Sequence, residues 1–543
     1  MIQPDSDHLV ECRNGVAVSV SAAASDVALS VLKQGGNAVD AAIALAFALQ
    51  VTYPISGAMG GGGFMLVHPA PGAGDPVVFD YRECAPAAAW PTMYTKKESQ
   101  YTHRAVAVPG TIRGLELAHR RFGSLAWAKL IQPAVALARD GFIVDRHLAK
   151  SANATMAVAP EFAEMQRVYG KPGGGQWAED DRMVLPDLAR TLQLLADLGP
   201  DAFYTGPIAE AIVAEMTRGN GLITAQDLAN YRAIERKPLT TRYRGGYDVF
   251  VPPPPCAGGT CLLEEINILA NFDNKCWGRW SPKTIHVMAE AMRRANCDRA
   301  RYLGDPAFVQ IPEKLITPDY ARELAATIDM AKATRSRNLA PDIPMLPDTE
   351  NTTHFSIIDA KGMAVANTFT LERRWGSRVV VKKMGFLLNN DMRAFNLFPG
   401  ASDSDGNIGT APNVIAPGKR PLSSQTPTIV AKDGRVKLVT GTPGSQSIPH
   451  TILGILMSTF DFDLPLKTAV EAPRFTHQWL PDQITYEDPE KYPELVNALK
   501  AMGHKVERME PVPQGDAHSI WVVKPNHYIG VADKRISGKA AGY

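Results

Sequence analysis

The first part of the chain carries apolar residues at helical spacing. This pattern predicts a helix over residues 25–34 that begins at Ser25, and a second, almost wholly apolar helix that begins after Asn37. The glycine-rich residues 57–63 follow, and a strand is predicted over residues 64–68. No Lys-Ser or Lys-Thr pair follows the glycines and no strand precedes them, so we expect close backbone packing there and not a phosphate-binding loop.

The pattern changes two-thirds of the way along the chain. Residues 105–345 are predicted to be mainly helical, and the proline-rich residues 340–350 are predicted to form an extended, exposed arm. Alternation then predicts strands over residues 352–359, 363–371, 427–432, 436–441 and 518–524, with helices near 451–460 and 490–502. A helix-rich part followed by strands indicates a layered α/β architecture.

Composition narrows the class of protein. Of the 543 residues, 45% are hydrophobic and 21% are charged, as in soluble globular proteins. The formal net charge is +1, which gives no electrostatic reason to expect nucleic acid or an acidic membrane as partner. The apolar run over residues 41–51 is shorter than the roughly 20 residues of a membrane helix. Residues 1–5 show no basic segment before an apolar core, so we expect a cytoplasmic protein, or a periplasmic one if a leader has been removed.

Cysteine usage suggests neither a disulfide scaffold nor a zinc site. The six cysteines are scattered, and Cys256 and Cys261, the only close pair, have no second pair or histidine cluster beside them. We expect free, mostly buried thiols and no metal or organic cofactor.

The candidate chemistry begins at Thr352, in the sequence Asn351-Thr352-Thr353-His354. A threonine at the start of a chain is a strong nucleophile because its own α-amine can act as the base. An internal threonine gains this amine only when the preceding peptide bond is cut. Taken alone, the two threonines are better explained by strand propensity than by a nucleophile, so the surrounding sequence has to decide.

A set of motifs surrounds this segment in a characteristic order. They are Gly35–Ala42, Asp80–Pro86, Asn351–Asp359, Arg420–Val430, Val439–Ser445, Glu471–Trp479 and Asp533–Tyr543. Together they closely resemble the γ-glutamyltranspeptidase family of N-terminal-nucleophile hydrolases, over residues 15–543. So many separate motifs in the family's order make a chance match very unlikely.

The resemblance implies the fold and the processing. It implies a four-layer αββα sandwich that is formed jointly by two autoprocessed subunits, a large one over residues 1–351 and a small one over residues 352–543. Cleavage would fall between Asn351 and Thr352, and the two subunits would remain associated around one shared core.

The resemblance also assigns roles to residues. Thr352 would be the nucleophile, and Thr370 would hydrogen-bond it. A five-residue turn in the predicted hairpin pairs Thr352 with Thr370, whereas a four-residue turn pairs it with Phe369. Gly444 and Ser445 match a Gly-Gly pair whose backbone N–H groups form the oxyanion hole, provided that Ser445 tolerates the local backbone angles.

Arg82, Ser423 and Ser424 match the family residues that hold the substrate's α-carboxylate. A guanidinium binds a carboxylate with two parallel hydrogen bonds, and two hydroxyls can complete its surroundings. Judged alone, an arginine followed by Glu83 would be interpreted as a surface ion pair.

The region expected to bind the substrate's α-amino group departs from the family. Glu372 takes the place of an asparagine, and Asp391 takes the place of a glutamine or glutamate. Ala394 replaces the amino-binding aspartate, and Arg393 stands where another acid is usual. One fixed negative charge is therefore missing, although Glu372 and Asp391 could replace it from another direction.

The sequence supports three hypotheses about function, and the first two take a small-molecule amide as substrate. The first is an autoprocessed amidohydrolase or acyltransferase that transfers a γ-glutamyl group from glutathione or γ-glutamyl amides to water or amino acids. The second is an acylase for glutaryl-like amides without an α-amino group, which Ala394 favours. The third is a catalytically silent scaffold, against which the intact Thr352, Thr370 and Arg82 argue.

Overall fold

The structure is a computed structural model of the uncut chain, and it describes residues 7–57, 59–95, 97–340, 351–400, 410–509 and 515–543. The strands are β1 Leu9–Cys12, β2 Val16–Ser19, β3 Gly62–His68, β4 Val77–Asp80, β5 Phe142–Ile143, β6 Arg182–Met183, β7 Ile234–Arg236, β8 Leu239–Tyr243, β9 Tyr247–Val251, β10 Asn351–Ile358, β11 Ala364–Glu372, β12 Thr428–Lys432, β13 Arg435–Thr440, β14 Phe475–Thr476, β15 Ile484–Tyr486, β16 Val506–Arg508, β17 His518–Lys524, β18 His527–Ala532 and β19 Lys539–Gly542.

Helices surround these strands. They are α1 Ala22–Lys33, α2 Ala38–Thr52, α3 Thr111–Phe122, α4 Trp127–Asp140, α5 Arg146–Ala157, α6 Ala163–Tyr169, α7 Pro186–Leu198, α8 Asp201–Tyr204, α9 Pro207–Arg218, α10 Ala225–Asn230, α11 Ala257–Leu269, α12 Asn274–Trp277, α13 Pro282–Tyr302, α14 Pro318–Ala326, α15 Ser336–Leu339, α16 Ile448–Leu456, α17 Leu466–Glu471 and α18 Pro493–Ala501.

Two seven-stranded antiparallel sheets face each other. One has the strand order β1-β18-β17-β13-β12-β9-β8, and the other has the order β19-β2-β10-β11-β3-β4-β7. Alternate side chains of both sheets, such as Val18, Phe64, Ile429 and Ile520, form a buried layer between them.

The outer faces of both sheets are covered by helices. Helices α1, α2 and α3 pack on the sheet that contains β10, and α4 to α9 extend the same apolar cluster, to which Phe355 and Ile357 contribute. Helices α11 and α17 pack on the other sheet, and α13 and α16 pack against α11. The expected four-layer αββα sandwich is therefore confirmed.

Both sheets combine strands from before and after Thr352. In one, β2 and β3 flank the β10–β11 pair. In the other, β9 pairs with β12, and β1 pairs with β18. The two parts share one hydrophobic core, while their division into separate subunits at Thr352 stays a prediction.

The predicted helix starts were right for one helix and wrong for the other. Asn37 caps α2 as expected, and Asp40 completes a capping box with it. The cap of α1 is Ser21 and not Ser25, because the Ser25 hydroxyl bonds the Ser19 hydroxyl at 2.8 Å and donates to the Lys539 carbonyl at 2.9 Å. The local pattern assigned the Ser25 hydroxyl to capping, but this hydroxyl instead binds the carbonyl of Lys539 near the C-terminus.

The close backbone packing predicted for the glycine-rich segment is confirmed at Gly57, Gly60, Gly62 and Gly63. A Cβ atom at Gly60 would lie 2.1 Å from the Leu387 carbonyl oxygen, and one at Gly62 would lie 2.4 Å from the Tyr81 carbonyl oxygen. These glycines allow β3 to approach segments that come from distant parts of the chain.

Several short elements were not predicted, among them β5 to β9 and helix α17, whereas β17 has the predicted bounds. The predicted proline-rich arm falls on residues 341–350, outside the described residues. The six cysteines are free, and only Cys84 and Cys276 are not buried. No helix in the described ranges is long and apolar enough to cross a membrane.

Candidate active site

The start of β10 lies opposite the end of β11 across a β-bulge. Asn351 pairs with Glu372 and Thr353 pairs with Phe369, so Thr370 and its neighbour lie opposite the single residue Thr352. This register requires the five-residue turn, which is the alternative that brings Thr352 and Thr370 together. A bulge redirects a strand locally and is common beside active sites.

The backbone turns sharply after Thr370. Glu372 has a φ of 77°, which side chains other than glycine rarely adopt. Its N–H donates to the Thr370 hydroxyl oxygen at 2.8 Å, and this hydrogen bond holds the turn. Thr352, Thr370 and Glu372 are all buried. The sequence thus places two hydroxyls and a carboxylate at one strand end.

Strand β3 connects this strand end to Arg82. Gly62 pairs with Thr370, and a Cβ atom at Gly62 would lie 2.7 Å from the Glu83 carboxylate. Glycine is needed here because any larger residue would push Glu83 away. Arg82 and Glu83 therefore lie directly beside the Thr352–Thr370 pair.

Arg82 is fully buried and is held by two carboxylates. Its Nη1 lies 2.7 Å from Oδ1 of Asp391 and 3.0 Å from Oε2 of Glu83. Its Nε and Nη2 donate to the carbonyls of Pro421 and Leu422, each at 3.3 Å. The ion pair of Arg82 with Glu83 exists, but it lies in the interior and not on the surface.

The pKa of Glu83 responds to this crowding. Burial raises it well above its usual value, the Asp391 carboxylate raises it further, and the Arg82 guanidinium acts in the opposite direction. Two carboxylates cannot both ionise cheaply beside one buried cation. Burial therefore favours the protonated form of Glu83.

Ser423 and Ser424 follow directly on the Leu422 carbonyl that Arg82 binds. The Ser423 carbonyl accepts a hydrogen bond of 2.7 Å from the first backbone N–H of α11, and Oγ of Ser424 accepts one of 3.5 Å from Arg299. Both serines are buried. The structure thus brings the three residues assigned to carboxylate binding together.

The segment around Asp391 is anchored to β11. The Asn390 N–H donates to the Leu371 carbonyl at 3.0 Å, and a short helical turn spans Asp391–Ala394. Ala394 is buried, and its carbonyl accepts from the Asn413 side chain at 2.8 Å. The small side chain of Ala394 therefore lies in the interior close to Asp391.

Gly444 and Ser445 form the loop that leaves β13. Gly444 has a φ of 136° and Ser445 has a φ of 60°, so both adopt conformations that favour glycine. Ser445 tolerates the left-handed conformation, which costs a residue with a Cβ atom roughly 1–2 kcal/mol. The proviso about Ser445 is met in the structure, whereas its role in an oxyanion hole stays a prediction.

A buried polar chain that the sequence did not reveal supports the start of β10. His354 bonds Thr368 through Nδ1 at 2.8 Å and Ser356 through Nε2 at 3.0 Å, and the Ser356 hydroxyl donates to the His518 carbonyl at 2.9 Å. Burial, assisted by His518, lowers the pKa of His354 well below its usual value. The neutral ring of His354 lies against Gly441, the first residue of the loop that leads to Ser445. In the sequence, this polar chain could have been found from the polar residues at alternate positions of the predicted strand.

One cluster in the described ranges has the composition of a metal site. His286, Glu290 and His504 hold ligand atoms within 4.8 Å of one another. Arg293 and Arg294 both bind the Glu290 carboxylate, and the two histidine rings bond each other at 2.8 Å. Two cations beside the only carboxylate disfavour a metal ion here.

The chain matches the family model described as Gamma-glutamyltranspeptidase over residues 24–543. It belongs to the gamma-glutamyltranspeptidase family. The two-sheet sandwich agrees with this membership.

Similar proteins include both hydrolases and acylases. The chain is 41% identical to the "Glutathione hydrolase proenzyme" of Escherichia coli strain K12, covering 100% of this chain and 94% of that protein. It is 36% identical to the "Acylase ACY 1 proenzyme" of Pseudomonas sp. strain SE83, covering 92% and 88% of the two chains. The crystal structure of cephalosporin acylase from Bacillus halodurans superimposes with a TM-score of 0.88 at 27% identity, covering 100% of this chain and 98% of that one.

Proposed function

We propose that this enzyme cuts its own chain between Asn351 and Thr352 and then transfers γ-glutamyl groups from glutathione or other γ-glutamyl amides to water or amino acids. The observation that carries the proposal is the position of Thr352 opposite Thr370 at a bulged strand end, beside Arg82. The relatives named glutathione hydrolase proenzymes support the same activity.

Processing would use the Thr352 hydroxyl. Its oxygen attacks the Asn351 carbonyl carbon, the peptide C–N bond breaks, and the acyl group passes to oxygen as an ester while the nitrogen takes up a proton. The shift frees the new α-amine, and water then hydrolyses the ester, which frees the Thr352 hydroxyl and leaves Asn351 with a terminal carboxylate. The bulge supports this step because it releases the scissile peptide from the regular ladder.

Substrate turnover would repeat the attack on an external amide. The α-amine accepts the proton of the Thr352 hydroxyl, the oxygen attacks the γ-carbonyl, and the departing amine takes the proton. Backbone N–H groups at Gly444 and Ser445 would stabilise the oxyanion, and loss of one such donor typically costs about 3 kcal/mol. Water or an amino-acid amine then resolves the acyl-enzyme.

The acyl group would be held by its carboxylate. Arg82 supplies a buried cation, and Ser423 and Ser424 follow the Leu422 carbonyl that it binds. These residues would contact the carboxylate at the end of the acyl group. They do not distinguish a γ-glutamyl group from a glutaryl group.

A second candidate function is an acylase for glutaryl-like amides. The small, buried Ala394 favours it, because a methylene can lie beside a methyl group where an ammonium would need an acid. The relatives named as acylases support this alternative. It requires the same nucleophile and differs only in the acyl group.

Two measurements test the proposal. Intact mass spectrometry of the purified protein should show two pieces that divide after Asn351. The cleaved enzyme should then release 4-nitroaniline from γ-glutamyl 4-nitroanilide with a higher kcat/KM than from glutaryl 4-nitroanilide. The reverse ratio would establish the acylase, and an uncut chain without turnover of either anilide would leave a silent scaffold.

A further inference from the structure

Arg82 already has an internal anion in this structure. Asp391 lies 2.7 Å from its guanidinium, and both side chains are fully buried. The remaining contacts of the guanidinium include Glu83 and the carbonyls of Pro421 and Leu422. The group assigned to the substrate's carboxylate is thus engaged by a carboxylate of the protein itself.

The charges of this cluster balance without a substrate. Burial and the Asp391 carboxylate raise the pKa of Glu83 well above its usual value, which favours its protonated form. Arg82 and Asp391 then compensate each other. A substrate carboxylate must displace Asp391 from Arg82, or it must add a second anion to a buried, already neutral pair.

We propose that Asp391 determines specificity by competing with the substrate's α-carboxylate for Arg82, so that acyl donors with a neutral group in place of this carboxylate are accepted nearly as well. The inference rests on the proposed function, because it concerns the acyl pocket of that reaction. A carboxamide suits the pocket chemically, since serine hydroxyls both donate and accept hydrogen bonds, whereas a guanidinium only donates.

A different role for Asp391 leads to a different outcome. If Asp391 instead held the substrate's α-ammonium, its charge would help every donor that carries the amine, whatever group replaced the carboxylate. The ion pair with Arg82 favours the competing role, because the guanidinium lies 2.7 Å from Oδ1 of Asp391.

The decisive comparison uses two donors that share the α-amine and the anilide. They are γ-glutamyl 4-nitroanilide and its α-carboxamide analogue, measured with the self-cleaved wild-type enzyme. We expect the kcat/KM values to differ by less than about tenfold, since Asp391 offsets the attraction of Arg82 for the carboxylate. A preference above tenfold for the carboxylate donor overturns the inference.

Variants at residue 391 sharpen the test. Asp391→Gln and Asp391→Glu have equal size and differ only in charge, and mass spectrometry shows whether each variant folds and cleaves itself. Asp391→Gln should lower the ratio of KM for the carboxylate donor to KM for the carboxamide donor about tenfold relative to Asp391→Glu. Equal losses for both donors would overturn the inference and assign Asp391 to the ammonium.

The wild-type comparison alone decides the inference should the glutamine variant fail to fold. Failure of the proposed function has a separate signature. In that case the cleaved wild-type enzyme turns over neither donor.

Discussion

The start of β10 and the pocket around Arg82 are neighbours with different chemistry. At the strand end, the candidate groups are the hydroxyls of Thr352 and Thr370 and the backbone amides of Gly444 and Ser445. In the pocket, a buried guanidinium lies between two carboxylates. The strand end keeps the two threonines that the family resemblance predicts and changes at Ser445 and Glu372, whereas the pocket departs at Asp391, Arg393 and Ala394.

The difference indicates where specificity can change at small cost to the reaction. Hydroxyls and backbone amides act through position, so a replacement there removes the chemistry. Buried charges act through the net charge of the pocket, and one substitution changes the ligand charge that the pocket accepts. Removing one partner of a buried ion pair typically costs about 3–5 kcal/mol. Substitutions in such a pocket therefore have to keep the buried positive and negative charges equal.

The largest effect is expected at the strand end. Thr352→Ala removes the nucleophile of both cleavage and turnover, so the protein should run as a single chain on a denaturing gel and release no 4-nitroaniline. Thr353→Ala is the matched control, because the side chain of Thr353 lies on the same face of the strand as Phe355, opposite to that of Thr352. Efficient cleavage of the Thr352 variant after Asn351 would remove Thr352 from its proposed role.

The next effect concerns Thr370. Thr370→Ala removes the hydroxyl opposite the nucleophile, and misplaced catalytic groups reduce rates by roughly 100-fold. The rate of self-cleavage and kcat should both fall, as measured by gel and by anilide hydrolysis. Thr370→Ser keeps the hydroxyl that accepts from the Glu372 N–H and should restore most of both rates. Wild-type rates in the alanine variant would make Thr370 an ordinary strand residue.

The pocket should respond through specificity. Ala394→Asp adds an acid where the family binds the α-amino group, and the ratio of kcat/KM for γ-glutamyl over glutaryl 4-nitroanilide should rise about tenfold. Ala394→Asn, of similar size and neutral, should shift the ratio less. An unchanged ratio, combined with a lost γ-glutamyl preference in Glu372→Gln, would place the ammonium at Glu372.

The smallest effect is expected at Glu83. Its raised pKa means that the folded state keeps a proton that the unfolded state releases above about pH 4.3, so this group lowers stability as the pH rises toward the folded pKa. Glu83→Gln mimics the protonated form and removes this dependence. Its melting temperature should match that of the wild type near pH 4 and exceed it increasingly toward pH 8. A constant difference across this range would contradict the assigned proton.

Much of the strand end could be predicted from sequence, because its determinants are local. Alternating residues and a short turn define the β10–β11 pair, although only the structure selects the turn that aligns Thr352 with Thr370. The family resemblance supplied Arg82 and Ser423 as candidates. The resemblance indicated which residue types stand at these positions, but it did not indicate which atoms their side chains contact.

The missed features depend on partners that are distant in sequence. Asp391 was a candidate for the ammonium, and its contact with Arg82 follows from the way β11 anchors the Asp391 segment beside β3. The cap of α1 was misplaced because Lys539 competes for the Ser25 hydroxyl. Local patterns cannot rank such competing partners, because each hydroxyl or carboxylate satisfies several of them equally well.

Strand β10 lies in the interior of its sheet, and this position has a consequence for maturation. Residues Phe355–Ile358 bond to β2 on one side and to β11 on the other. Ordinary chain ends fray because few neighbours hold them. An end created at Thr352 would instead lie three residues before the part of a strand that is held on both edges. Maturation would then change the covalent structure while it leaves the strand order intact.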